Sequence, residues 1–217
     1  MNRRIGMISS ICNVCAVTGF ALCLLFGFLF GNYVASMFIA FSFVPMICAL
    51  TVAGGCEKRA TENATGGCEK KAAGNTAMVF AGMYAVVILI VYFTQVTTVR
   101  LETLNEQAVS LIDYTTFGLF FNLDLLGYCL MAISTFFAGL TIRTKTKSDK
   151  ALKVLLLVHG IFAISCFIIP MLGVFSDDMQ GADFIGTAIL LFWCAYFIPV
   201  GILSFLYFRK QVDTTMK

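Results

Sequence analysis

TAMVFAGMYAVVILIVYFTQVT, residues 76–97, runs through 22 positions without a charge. At 1.5 Å per residue a helix of this length reaches about 33 Å, enough to cross a hydrocarbon layer about 30 Å thick. A helix on the surface of a soluble domain needs a polar face, and here apolar side chains occupy every turn. A membrane β-strand alternates in polarity over about ten residues, whereas this run is continuously apolar. The stretch predicts a membrane-spanning helix.

Five more runs of the same kind lie outward from it, at 5–30, 33–54, 116–142, 152–175 and 185–208. Together they predict an all-α, six-helix transmembrane bundle forming one domain over 1–217. The composition agrees: 59% of residues are hydrophobic and 12% charged, and mean hydropathy is +0.90. Soluble domains carry roughly 25% charged residues. A soluble domain, a disordered chain and a small disulfide scaffold are therefore all excluded. The first run follows Arg3 and Arg4 as a signal peptide would. Its apolar length exceeds the 7 to 15 residues of a signal-peptide core, however, so it is expected to be retained.

Lys and Arg set the orientation, because short cytoplasmic loops retain them. Six spans put Arg3 and Arg4, then Lys58, Arg59, Lys70 and Lys71, then Arg143, Lys145, Lys147, Lys150 and Lys153, and finally Arg209, Lys210 and Lys217 on one side. Arg100 alone falls on the other. This predicts both termini in the cytoplasm, and a bacterial cytoplasmic membrane is the expected location. The basic residues serve topology beside the lipid bilayer, and no nucleic-acid-binding module is present.

Between the second and third spans, Gly54-Gly55-Cys56-Glu57-Lys58-Arg59-Ala60 recurs twelve residues later as Gly66-Gly67-Cys68-Glu69-Lys70-Lys71-Ala72. This tandem duplication predicts an exposed loop over 55–75 that tolerates insertion. On the opposite side, 98–115 places Leu101, Leu104, Ala108, Leu111 and Ile112 at helical spacing, which predicts a short amphipathic helix at the membrane surface. Thr103 and Glu106 have capping-box spacing there. A lid over a mouth between the spans is one role for that helix. The same face holds Glu102, Glu106, Asp113, Asp177, Asp178 and Asp183, either what remains once Lys and Arg are kept to the other side or a field that attracts cations.

Seven of the 9 cysteines fall inside spans and two in the cytoplasmic loop. They are expected to act as small apolar fillers, not disulfides. No close set of Cys, His and acids has metal-ligand spacing, so neither metal nor cofactor is expected. In the first span, Cys15, Gly19, Cys23, Gly27 and Gly31 recur every fourth residue. Such a ridge of small side chains lets another helix approach closely, either within the bundle or from a partner subunit or second copy.

One acid interrupts a span. Asp124 sits eight residues from the outer end of the fourth run, about 12 Å deep. A charge there is expensive, so it must face protein or water and is the default functional site. Tyr128 lies one helical turn on. Neighbouring spans offer Tyr92 and Gln95, and Trp193 and Tyr196. An acid with an amide and aromatic rings suits a small polar or cationic solute. His159, the sole histidine, is either a hydrogen-bonded lock between helices or, with Asp124, part of a proton relay. Pro45, Pro170 and Pro199 are expected to kink their spans.

No HExxH, P-loop or Gly-x-Ser-x-Gly motif occurs. Ser134, in Ala132-Ile133-Ser134-Thr135, lacks the glycines of a rhomboid-type membrane protease. Enzymatic activity is not expected. Two functions remain: binding or translocation of a solute at Asp124, and a non-catalytic subunit that packs into a larger assembly through the first helix.

Overall fold

The first helix, α1 (Asn2–Leu25), ends in a turn that no polar residue announces. Phe26, Gly27 and Phe28 make the reversal, with Gly27 at φ +65°, a conformation that glycine adopts without steric cost. Six helical spans, each long and apolar enough to cross a membrane, make up the computed structural model, which describes residues 2–55, 64–173 and 182–213. No strand occurs among them. The remaining elements are α2 (Leu29–Gly55), α3 (Ala64–Thr94), a π-helical turn (Gln95–Val99), α4 (Glu106–Ile112), a 3-10 turn (Tyr114–Thr116), α5 (Leu119–Thr141), α6 (Lys147–His159), α7 (Ile161–Met171) and α8 (Ala182–Asp213).

The spans form a closed ring in the order α1, α2, α3, α5, α6 with α7, and α8, which returns to α1. Inside the ring α2 and α5 meet, and they are the most deeply buried of the six. Backbone approach is closest where side chains are smallest. At Gly54 an added Cβ would lie 2.3 Å from the Thr141 carbonyl oxygen, and the Arg143 Nε donates to the Gly54 carbonyl at 2.9 Å. Phe43 of α2 packs edge-on against Tyr84 of α3 and meets Phe197 of α8, so aromatic rings link three helices across the core.

Outside the ring the chain presents what lipid, not water, would solvate. Phe38, Phe41, Val86, Phe93, Ile164 and Phe192 are exposed around the bundle, and contiguous apolar surface of this extent is foreign to soluble monomers.

Two expectations are corrected. The ridge on the first helix is not continuous: Gly27 forms the turn and Gly31 lies in α2, where it packs beside Cys23 and Phe28. The second repeat copy is helical, because α3 begins at Ala64 and its Ala, Glu and Lys are good helix formers; the first copy, with Cys56, lies mainly outside the described residues. Pro45 and Pro199 lie inside continuous helical segments, where a proline bends a helix without ending it, and Pro170 in the last turn of α7. The fifth span is interrupted instead between His159 and Ile161, at Gly160, where a Cβ would meet the Phe136 ring at 2.9 Å.

Candidate functional site

Asp124 lies five residues into α5, about 8 Å along the axis. That is shallower than expected, because Thr116, Phe117 and Gly118 belong to a turn rather than the span. Its side chain is 1% exposed. Tyr114 donates its hydroxyl to Oδ2 at 3.3 Å, and the Tyr92 hydroxyl also faces the carboxylate. Oδ1 has no hydrogen-bond partner among the described residues. A buried carboxylate with an idle oxygen is costly.

Five of the 7 tyrosines gather here. Tyr128 lies one helical turn from Asp124 on α5 with the Tyr84 ring 6.5 Å away, and Tyr33 packs on Tyr92 and Tyr114, the two that face the carboxylate. Ring centroids separate Tyr33 and Tyr92 by 5.5 Å, Tyr92 and Tyr114 by 5.9 Å, and Tyr33 and Tyr114 by 6.1 Å. Four of the five come from α2, α3 and α5. Tyr114 comes from the 3-10 turn outside the spans, and burial first, then the nearby Asp124 carboxylate, pushes its hydroxyl well above the ordinary phenol range. It therefore stays a proton donor at neutral pH. At the same end of the bundle α2 carries Asn32 and Ser36, both buried, with Asn32 Oδ1 and Ser36 Oγ unpartnered among the described residues.

Gln95 builds the roof. From the π-helical turn its Nε2 donates to the Ile112 carbonyl at 2.7 Å, and its Oε1 accepts from the Tyr114 backbone N–H at 3.1 Å. One side chain thereby pins the end of α4 and the turn after it. The helix begins differently from the expected Thr103–Glu106 box: Asn105 is its N-cap, accepting from the Ala108 N–H at 2.8 Å. Arg100, the sole basic residue in this region of the sequence, sits 5.1 Å over the Phe30 ring.

Trp193, Tyr196 and His159 form a separate cluster. Trp193 donates its indole N–H to His159 Nε2 at 3.1 Å, and Tyr196 donates to the Leu155 carbonyl. Because indole only donates, Nε2 is an acceptor, and the proton of the neutral ring is on Nδ1. Nδ1 then donates to Thr135 Oγ1 at 2.8 Å, whose hydroxyl donates to the Ala132 carbonyl. Both ring nitrogens are engaged, and neither is directed to Asp124. The two clusters meet where the Tyr128 ring packs against Trp193 at 5.2 Å. The structure thus brings Tyr92, Tyr128 and, through Tyr114, Gln95 to Asp124, and places Trp193 and Tyr196 with His159. Tyr33, Tyr84 and Tyr114 were missed by sequence reasoning. Their spacing holds no common signal, since they lie on three elements that only packing unites.

On α1, Cys15 is exposed and Gly19 has nothing within 4 Å of an added Cβ. The helix packs inward through Gly6, Ser10, Asn13 and Val17 instead; Asn13 donates to Ser42 of α2 at 3.1 Å. The seven described cysteines are free, and no group of three or more potential metal ligands occurs among the described residues. Asp177 and Asp178 of the acidic face lie outside them.

No known family, characterised protein or solved structure matches this chain. The reading of the site rests on its own chemistry.

Proposed function

We propose that this protein is an integral membrane bundle, set in a bacterial cytoplasmic membrane with both termini in the cytoplasm, that binds or translocates a small polar or cationic solute at Asp124. The carrying observation is the buried carboxylate with an unpartnered oxygen, surrounded by five tyrosines. A purely structural acid would be satisfied by its neighbours or replaced by an amide. An acid retained with spare acceptor capacity, in a setting of aromatic faces, is suited to a ligand that brings a donor or a positive charge. The scarcity of Lys and Arg at this end supports an outside location for it.

Native mass spectrometry of the protein gently extracted from its own membrane tests this. A small bound mass that Asp124→Asn loses is expected. An identical spectrum from the folded variant, together with unchanged uptake, would overturn the reading.

A second reading has an observation of its own. Cys15 and Gly19 face away from the bundle with no side chain against Gly19, a surface that suits a helix of a partner subunit or a second copy. Gly19→Leu probes it, and loss of a co-purifying polypeptide from a correctly folded variant is the outcome that supports it. Gly27 is unsuitable for that test, because its positive φ strains any other residue.

A further inference from the structure

We propose that the segment from Gln95 to Gly118 is a lid, that Tyr114 is its plug, and that the group it admits to Asp124 is a monovalent organic ammonium. The inference rests on the solute-site reading above and adds the ligand's class and the closing device.

The lid is held by few bonds. No residue of α4 is buried, so this helix has no core of its own to keep it down. Within the lid, Gln95, buried where α3 ends, spends both amide atoms on Ile112 and Tyr114; the lid's ties to the bundle are the Tyr114 hydroxyl on Asp124, the Tyr114 ring on Tyr33, Tyr92 and Phe121, Phe117 on Phe121 and Arg100 over Phe30, none of them made by α4. Segments with little buried apolar contact open at low free energy. At the far end Phe117 sits in the left-handed region at φ 53°, a strained conformation for a bulky residue. Gly118 follows, with Ser110 so close that a Cβ would lie 2.1 Å from its carbonyl oxygen. Strain and close contact mark the point where the segment joins α5.

The plug is chemically distinct from the rest of the cage. Tyr33, Tyr84, Tyr92 and Tyr128 are fixed on spans, whereas Tyr114 can leave with its turn. Its departure frees Oδ2 beside the already unpartnered Oδ1 and exposes aromatic faces. One carboxylate balances one positive charge. Divalent cations want several hard oxygen ligands, and this site has a single acid. Ring faces favour a diffuse cation such as an alkylated ammonium.

Isothermal titration of the full-length protein with choline and with its neutral isostere 3,3-dimethylbutan-1-ol tests the proposal. Choline should bind, the isostere at least tenfold more weakly, and Asp124→Asn should lose choline. Gln95→Ala and Tyr114→Phe each remove a closing hydrogen bond and should bind choline about three- to tenfold more tightly, because a larger fraction of molecules is open. Choline binding that needs Asp124 but is unchanged or weaker in both lid variants overturns the lid and leaves the solute site standing. Equal binding of the isostere overturns the ammonium class. No choline binding in the wild type or in either lid variant also overturns that class, while the bound-mass measurement independently decides whether a solute site exists. Should Gln95→Ala fail to fold, Tyr114→Phe, which keeps the ring, decides the lid.

Discussion

His159 is 1% exposed, and its two nitrogens tie α6 to α5 through Thr135 and to α8 through Trp193. Thr135→Val removes the acceptor of the Nδ1 proton and leaves a buried donor unpaired, at a cost of about 1 kcal/mol. For a chain of this size that lowers the melting temperature by about 2–4 °C. Thermal denaturation in detergent checks it: Thr135→Ser should melt with the wild type, and a Val variant that does so too would mean that the histidine has another partner. Asp124 and His159 were legible as sequence because a lone ionisable group in an apolar run must be accounted for. Tyr114 was not, since a tyrosine at a membrane boundary is ordinary and nothing local ties it to a carboxylate ten residues on. Gln95 was read as facing the site. The structure instead spends both its amide atoms on backbone, a use that becomes visible only once the chain has folded back over it.

Element existence was written in hydrophobic run length, and element ends were not. The turn at Phe26, Gly27 and Phe28 is as apolar as the helices it joins, so nothing in its side chains marked the boundary. The interruption falls at Gly160, packed closely on Phe136, whereas the prolines, the stronger local signals, sit inside helices. Glycines of similar sequence context therefore differ in consequence. Gly54→Ala drives a methyl into the Thr141 carbonyl at the α2–α5 crossing, where the backbone must move, and should cost about 1–3 kcal/mol. Gly19→Ala meets nothing and should leave the melting temperature unchanged or raise it slightly. Both are read by the same thermal denaturation, and equal melting of the two variants would refute the packing described at the crossing.

The closed ring of spans has its charges sorted by end. The end built from the α5–α6 connection is stitched by polar contacts: Thr146 and Asp149 form a capping box on α6, and Lys210 of α8 pairs with Asp149 at 3.5 Å and donates to Thr146. If this end is cytoplasmic, as the distribution of Lys and Arg predicts, reporters fused at either terminus or inserted within 56–63 should be active only inside the cell. A reporter within 101–105 should be active only outside. A C-terminal reporter working on the external side would break the six-span topology. The number of spans could be read from one sequence, because it follows from transfer of residues into lipid. The neighbour order around the ring could not. It depends on which small residues let which backbones approach, as at Gly54, Gly127 and Gly201, where an added Cβ would come within 2.7 Å or less of another helix. The position of the single tryptophan has an optical consequence. Trp193 stacks on Phe197 at 4.9 Å, is hydrogen-bonded to His159, and touches Tyr128, a member of the cage around Asp124. Excited where tyrosine does not absorb, the unlabelled protein therefore emits from one indole a single ring away from that carboxylate, and a solute entering the cage, as proposed, should change its colour and lifetime.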